Sequence, residues 1–246
     1  LNITSLQTKT AMKLPKAILT AFILLCFANA NAQTADEIIN NHIKAIGGKE
    51  AWKKVNTIKQ VGVLDANGTE INIEFVAANE KGSRQTISFA GMSGYTIYTP
   101  SAGYNFYPWQ GHVKPEAITP EELKENEDNM DAQGPLIDYK EKGHTIEYVG
   151  MDEFEGTDCY KIKLTEKSGK IITFYIDPSN YFIIHSVTIT KANGQETESK
   201  TDYSNYQKLP EGIWMPMNIG GGNTIKIKKT EINGPVDETL FKPSTN

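Results

Sequence analysis

Most of the chain alternates apolar and polar residues with the two-residue period of a β-strand. In residues 160–164 three apolar side chains alternate with two lysines, which predicts a strand with one buried face. Residues 71–75 show the same alternation, and the turn dipeptide Asn67-Gly68 lies shortly before them. About ten to twelve such strands joined by short turns predict a long antiparallel meander.

Two segments depart from this period and carry helix signals. In the first, Thr34 is followed three residues later by Glu37, the spacing of a capping box. Three isoleucines then form one apolar helical stripe, namely Ile39, Ile43 and Ile46. The pair Gly47-Gly48 is expected to end this helix, and Trp52 is expected to anchor a short turn after it.

The second helix signal is Thr119 followed by Pro120 and, at the capping-box position, Glu122. The segment 120–142 that begins here is highly charged and thinly apolar. Its middle is interrupted by Gly134-Pro135, and a short further helix is predicted after that pair.

A meander of this length is not expected to stay flat, because strand twist curls it into a barrel or half-barrel with a concave face. The N-terminal helix and the 120–142 segment are placed to cover that face. The predicted class is therefore mainly β with α+β character, one curved antiparallel sheet covered by helices. The hollow is either filled by side chains or left as a lined cavity, and the pattern leaves both open.

Large apolar side chains are concentrated just before and within the second insertion. If a cavity exists, they are the candidates for its lining. Their alternative role is ordinary core and rim packing. The ligand-cavity candidates are Tyr95, Tyr98, Phe106, Trp109, Leu123, Met130, Leu136 and Ile137.

Residues 1–32 have the features of a targeting segment rather than of the fold. Two lysines follow Met12, an apolar run covers residues 17–27, and small residues at Ala30 and Ala32 precede the predicted cleavage before Gln33. Residues 1–32 are therefore interpreted as upstream residues and a cleaved signal peptide, and residues 33–246 as one domain.

Two other interpretations of the leader fit less well. A membrane anchor needs about 20 apolar residues, more than this run contains. A lipid-anchored form would use Cys26, but Leu25 stands where lipoprotein signals have a small residue. Export across the inner membrane to the periplasm is the expected localisation.

Charge and cysteine content exclude several classes of protein. The net charge is −5, and removal of residues 1–32 takes away three lysines and no acids, which gives −8. An acidic chain without a basic stripe is a poor nucleic-acid binder.

No stretch after residue 32 is long and apolar enough to span a membrane. Cys159 remains as a lone cysteine, so no intramolecular disulfide is expected.

Sequence patterns typical of catalysis or of metal binding are missing. The four histidines lack a second His or Cys at metal-ligand spacing. The segment 91–94 resembles a nucleophile elbow, but Tyr95 stands where the second glycine is required. The acidic run 121–128 lacks the spacing of a calcium loop. No enzyme activity, cofactor or metal is therefore predicted.

Several stretches resemble exported proteins of the outer-membrane lipoprotein-sorting, LolA-like group. They cover most of the mature chain and consist of turn and strand signatures rather than catalytic motifs. The stretches are residues 42–59, 136–150, 152–178, 201–216 and 232–243. The resemblance implies an unclosed β-barrel whose concave apolar face is covered by helices. It also implies a carrier that holds the acyl chains of lipoproteins in the periplasm, although no ligand residue can be carried over from the family.

The predicted function is thus an exported, non-enzymatic lipid- or lipoprotein-binding protein with the 120–142 segment as its cover. The alternative is a structural or interaction module with a filled core, whose edge strands bind an envelope protein. A third class is a hydrolase whose site the sequence does not reveal.

Overall fold

The computed structural model describes residues 35–192 and 195–245. The predicted signal peptide, the capping residue Thr34 and the expected turn at Asn193-Gly194 lie outside the described residues. No helix in the described part of the chain is long and apolar enough to cross a membrane.

Helix α1 covers residues 35–45 and presents the predicted isoleucine stripe to the interior. Ile39 is fully buried, and Ile43 and Ile46 are buried beside it. The short helix α2, Lys49–Trp52, follows at once. Trp52 anchors it, since its indole N–H donates to the carbonyl of Ile46 at 3.0 Å.

Thirteen strands form one antiparallel sheet in the described residues. They are β1 Thr57–Ala66, β2 Thr69–Ala78, β3 Gly82–Phe89, β4 Met92–Tyr98, β5 Gly103–Phe106, β6 Glu116–Ala117, β7 Thr145–Phe154, β8 Thr157–Thr165, β9 Ile171–Ile176, β10 Ile183–Ala192, β11 Gln195–Lys208, β12 Trp214–Gly221 and β13 Asn223–Ile232. The predicted hairpin turn between β1 and β2 is confirmed, with positive φ at both Asn67 and Gly68.

The strand order differs from the single meander that the sequence predicts. The order is β6-β5-β4-β3-β2-β1-β13-β12-β11-β10-β9-β8-β7, so two meanders meet where β1 pairs with β13. Ile58 lies opposite Ile232 in that pairing. Strands β6 and β7 are left as the two edges, and residues 118–144 connect them from one edge of the sheet to the other. The sheet is therefore not closed into a barrel.

The connecting segment 118–144, called the insertion below, contains helix α3, Pro120–Glu125, and a 3₁₀ turn, Glu127–Met130. The helix start predicted at Thr119 is confirmed, because the Thr119 hydroxyl caps α3 by accepting from the Glu122 N–H at 3.2 Å. The further helix predicted after Gly134-Pro135 is wrong. Residues 136–143 form successive turns, and Asp138 has a φ of 53°, which interrupts a right-handed helix.

The insertion shows that the sheet curls. Helix α3 contacts β10, while the 3₁₀ turn that follows it contacts β2, β3 and β4. Strands β3 and β10 are six positions apart, or about 29 Å across a flat sheet. A segment of about ten residues with helical rise covers only about 15 Å. Both contacts therefore require a curved sheet with the insertion on its concave face, called the inner face below.

Two apolar clusters lie on opposite faces of the sheet. The larger one lies on the inner face, where α1 and residues 132–139 pack on the strands. The smaller one lies on the outer face of β2–β5, beneath the C-terminal segment that contains a 3₁₀ turn, Glu238–Phe241. Its buried members are Val76, Ala78, Tyr95, Ile97, Phe106 and Phe241. Gly82 permits this packing, because an added Cβ would lie 3.1 Å from the Phe241 ring.

Candidate functional site

The inner face is filled at only one end. Ile58 and Ala77, on β1 and β2, lie in the large cluster beneath α1 and residues 132–139. Side chains at every second position further along the same strands share this face. Apart from Phe75, which packs against the large cluster, neither cluster includes those further residues. The far part of the inner face is therefore an apolar surface not taken up by the core.

This surface, called the apolar trough below, crosses six neighbouring strands from β12 to β4. The strand registers place its residues side by side: Ile73 lies opposite both Gly62 and Ile87, and Ile225 lies opposite both Leu64 and Ile219. All its apolar side chains are half-buried. The trough consists of Leu64, Ile71, Ile73, Ile87, Phe89, Trp109, Ile219, Ile225 and Ile227.

Two glycines shape the floor of the trough. A Cβ at Gly62 would lie 2.7 Å from Ile225 and 3.1 Å from Ile227, so the missing side chain lets these isoleucines close over β1. A Cβ at Gly94 would lie 2.6 Å from the Trp109 ring. Glycine at this position therefore allows the indole to approach the backbone of β4.

A polar cavity of about 180 Å³ adjoins the trough on the same face. It is called the polar niche below. On β2, β3 and β4 it begins two residues from the row that contains Ile73 and Ile87, on the side nearer the large cluster. The 3₁₀ turn of the insertion closes one side of it. Its lining residues are Phe75, Ser83, Gln85, Thr96, Tyr98 and Asn129.

The polar groups of the niche are only partly satisfied by the protein. The Thr96 hydroxyl donates to Asn105 at 2.8 Å and contacts the Tyr107 hydroxyl at 2.5 Å. Among the described residues, by contrast, no side-chain hydrogen bond is made by Ser83, Gln85 or Tyr98, although Ser83 is 1% exposed. Burial, followed by the nearby charge of Glu122, raises the pKa of Tyr98 to about 12, so its hydroxyl remains a donor at neutral pH.

A buried polar cluster fastens the insertion to the β8–β9 hairpin. The Lys170 ammonium lies 2.8 Å from a Glu166 carboxyl oxygen and donates to the Glu125 carbonyl at 3.4 Å. The His144 ring accepts from the Lys167 N–H at 3.0 Å and lies 3.5 Å from Asp128. Burial, with a hydrogen bond that protonated Glu166 donates to Asp128, raises the pKa of Glu166 to about 8. Residues 118–131 of the insertion are thus held to the hairpin by polar contacts, whereas residues 132–139 are packed in the large apolar cluster.

Groups suited to catalysis are held in structural roles. Burial lowers the pKa of His42 to about 4, and its Nδ1 lies 2.7 Å from the Tyr181 carbonyl. His185 is stacked on Phe154 with ring centroids 4.2 Å apart. Cys159 is buried, and burial raises its pKa. In the part of the chain that is described, no three His, Cys, Asp or Glu side chains are grouped to hold a metal ion.

The eight residues predicted to line a cavity lie at different places in the structure. Trp109 lies in the trough and Tyr98 in the niche, whereas Tyr95 and Phe106 lie on the outer face. Their rings pack against each other there, with centroids 5.7 Å apart. The Tyr95 hydroxyl donates to the Ser244 carbonyl at 2.6 Å.

The other four candidates belong to the insertion. Leu136 and Ile137 are buried in the large cluster with α1. Leu123 is half-buried on α3. Met130 lines a separate cavity of about 440 Å³ among charged groups such as Lys142. None of these four is part of the trough or the niche as defined above.

Sequence reasoning missed most of the trough. The alternation at Ile71 and Ile73 predicts a strand with one apolar face, which is typical of an ordinary core strand. Two facts were needed to identify an unfilled surface: that α1 ends before it reaches this part of the sheet, and that β1 pairs with β13. Neither is encoded in a local pattern.

Solved structures share this architecture. A DUF1329 family protein from Desulfovibrio piger superposes with a TM-score of 0.52 at 11% identity, over 86% of this chain and 97% of that one. A LolA superfamily protein from Nitrosomonas europaea gives a TM-score of 0.53 at 12% identity, over 86% and 98%. No protein-family profile and no curated protein sequence matches the chain. The chain thus has a LolA-like fold, a mostly β structure whose antiparallel sheet is not closed into a barrel.

Proposed function

We propose that this protein is an exported, non-enzymatic lipid- or lipoprotein-binding protein of the periplasm that holds an acyl chain in the apolar trough. The observation that carries the proposal is the trough itself. Eight apolar side chains lie together on the inner face of five neighbouring strands, β12 to β3, and Trp109 from the 3₁₀ turn Pro108–Gln110 lies over β4 beside them. All nine side chains are only half-buried, unlike those of the large cluster.

The dimensions of the trough suit an acyl chain. Six strands span about 24 Å at the usual spacing of β-strands, which is enough for most of a long acyl chain lying across them. Transfer of each methylene from water to an apolar surface contributes about 0.8 kcal/mol. A chain that covers even half of the trough therefore gains several kcal/mol, enough to offset the cost of ordering it.

The insertion supports the same proposal as a cover. It crosses the inner face between the two sheet edges. It is fastened to the β8–β9 hairpin by the Lys170 ammonium, which donates to the Glu125 carbonyl, and by the Lys167 N–H, which donates to His144. Polar contacts of this kind can be exchanged for water when a segment opens. A carrier needs such a cover, because its cargo must enter and leave.

The test is titration of the purified mature protein with cis-parinaric acid, whose fluorescence rises in an apolar site. Ile73→Asn places an amide in the middle of the trough and is expected to weaken binding at least about tenfold. Val63→Asn is the matched control, because Val63 is also half-buried but faces the opposite side of the neighbouring strand. Absence of saturable binding by the unaltered protein, or equal loss in both variants, would contradict the proposal.

A further inference from the structure

The polar niche holds hydrogen-bonding groups that the fold does not use. Ser83 is 1% exposed, and its hydroxyl faces a cavity of about 180 Å³. Neither it nor the half-buried Tyr98 makes a side-chain hydrogen bond within the described residues, and the exposed Gln85 at the edge of the niche makes none either. A buried hydroxyl normally has a partner, so the niche is equipped for a polar group from outside the chain.

The niche is continuous with the trough. Gln85 in the niche and Ile87 in the trough are alternate residues of β3 on the same face, about 7 Å apart along the strand. Phe75 and Ile73 have the same relationship on β2. A ligand with its apolar chain in the trough can therefore place a polar group in the niche without leaving the inner face.

Charge limits the class of polar group that fits. The six lining side chains are uncharged. Glu122 of α3 is close enough to act electrostatically on Tyr98. Helix α3 also carries Glu121 and Glu125 against a single cation, Lys124, so its net charge is negative. A carboxylate or phosphate in the niche would face this net negative charge. Hydroxyl and amide groups would instead find the phenol donor of Tyr98 and the amide of Gln85.

We infer that the niche is a subsite for an uncharged, hydroxyl-bearing head group, so that trough and niche together take a neutral acyl glycerol in preference to an anionic lipid. This inference rests on the proposed function, since the acyl chain occupies the trough. It adds the identity of the head group and the side chains that recognise it.

The test compares 1-monoolein with oleate at pH 7, each displacing cis-parinaric acid from the mature protein. The two share one acyl chain and differ in head group. Monoolein is expected to bind about tenfold more tightly than oleate, because two additional hydrogen bonds to the head group contribute about that much affinity. The double variant Gln85→Leu, Tyr98→Phe should weaken monoolein about tenfold and leave oleate within about twofold. Gln207→Leu, an exposed change in β11, should alter neither.

The outcomes separate the two proposals. If oleate binds as tightly as monoolein, or if the double variant weakens both ligands equally, the head-group subsite is wrong and the acyl trough stands. If neither ligand displaces the probe, or the probe itself does not bind, both proposals are wrong. Retained oleate binding by the double variant shows that it is folded.

Discussion

The ring of Trp109 packs against the ring of Phe89 with centroids 4.8 Å apart and an interplanar angle of 57°. The same indole lies over Gly94 on β4. This contact places a tryptophan at the border of the apolar trough, where a bound chain would touch it. The other two tryptophans, Trp52 and Trp214, pack against the large cluster instead.

Trp109 is therefore expected to report ligand binding. Addition of an acyl ligand should shift tryptophan emission to shorter wavelength, because the half-buried indole becomes shielded from water. Trp109→Phe should abolish the shift, whereas Trp214→Phe should keep it. An unchanged shift in the Trp109→Phe protein would mean that the ligand binds away from the trough.

Tyr95 is expected to matter for stability and not for binding. Its hydroxyl donates to the Ser244 carbonyl at 2.6 Å and accepts from the Ser244 N–H at 2.7 Å, on the face opposite the trough. Tyr95→Phe should lower the free energy of unfolding by about 1–2 kcal/mol in urea denaturation. Tyr104→Phe is the control for loss of a half-buried hydroxyl. Weaker cis-parinaric acid binding by a stably folded Tyr95→Phe protein would place Tyr95 in the ligand path after all.

His42 is expected to make the fold acid-sensitive. Burial lowers its pKa from 6.5 to about 4 in the folded state. The unfolded chain therefore takes up the proton first as pH falls below 6.5, and this contribution to stability is lost between pH 6.5 and 4. The loss amounts to about 3 kcal/mol. His42→Gln should flatten the dependence of unfolding free energy on pH in that window, and an identical slope in the variant would exclude His42 as the cause.

Glu166 is expected to loosen the insertion at alkaline pH. Its pKa is raised to about 8 by burial and by a hydrogen bond with Asp128, while Lys170 opposes the rise. Because the folded pKa lies above the unfolded value, this contribution to stability is complete below pH 4.5 and is lost as pH rises through 8. Ionised Glu166 then faces Asp128, with Lys170 and His144 as the other titratable neighbours.

Hydrogen exchange of residues 120–131 measures this effect. Protection factors, corrected for the intrinsic pH dependence of exchange, should fall between pH 7 and 9 in the unaltered protein. Glu166→Gln keeps an uncharged hydrogen-bonding group and should remove the fall. Equal loss of protection in the variant would show that another group controls the insertion.

Local features of the fold were predictable from the sequence. Alternation identified the strands, Asn67-Gly68 identified a hairpin, and the Thr119 capping box identified α3, since each depends on residues close together in the chain. The pairing of Ile58 with Ile232 was not predictable, because nothing local to β1 or β13 specifies a partner about 170 residues away.

The site was less predictable than the fold. Strand β4 has large apolar side chains on both faces, with Tyr95 and Ile97 outward and Tyr98 inward. Alternation shows that these belong to opposite faces but cannot show which face is concave. The C-terminal segment around Phe241 covers the outer face, so apolar side chains are buried on both faces of the strand. The sequence therefore lacks the apolar–polar alternation of a strand with one buried face.

Organic extraction and mass spectrometry of the protein, purified without detergent, measure directly whether the trough holds an acyl lipid. About one acyl lipid per molecule is expected in the unaltered protein and in Val63→Asn, and a marked loss in Ile73→Asn. Absence of lipid from the unaltered protein, or equal lipid in the Ile73→Asn protein, would contradict an acyl-binding trough and favour an interaction module of the cell envelope.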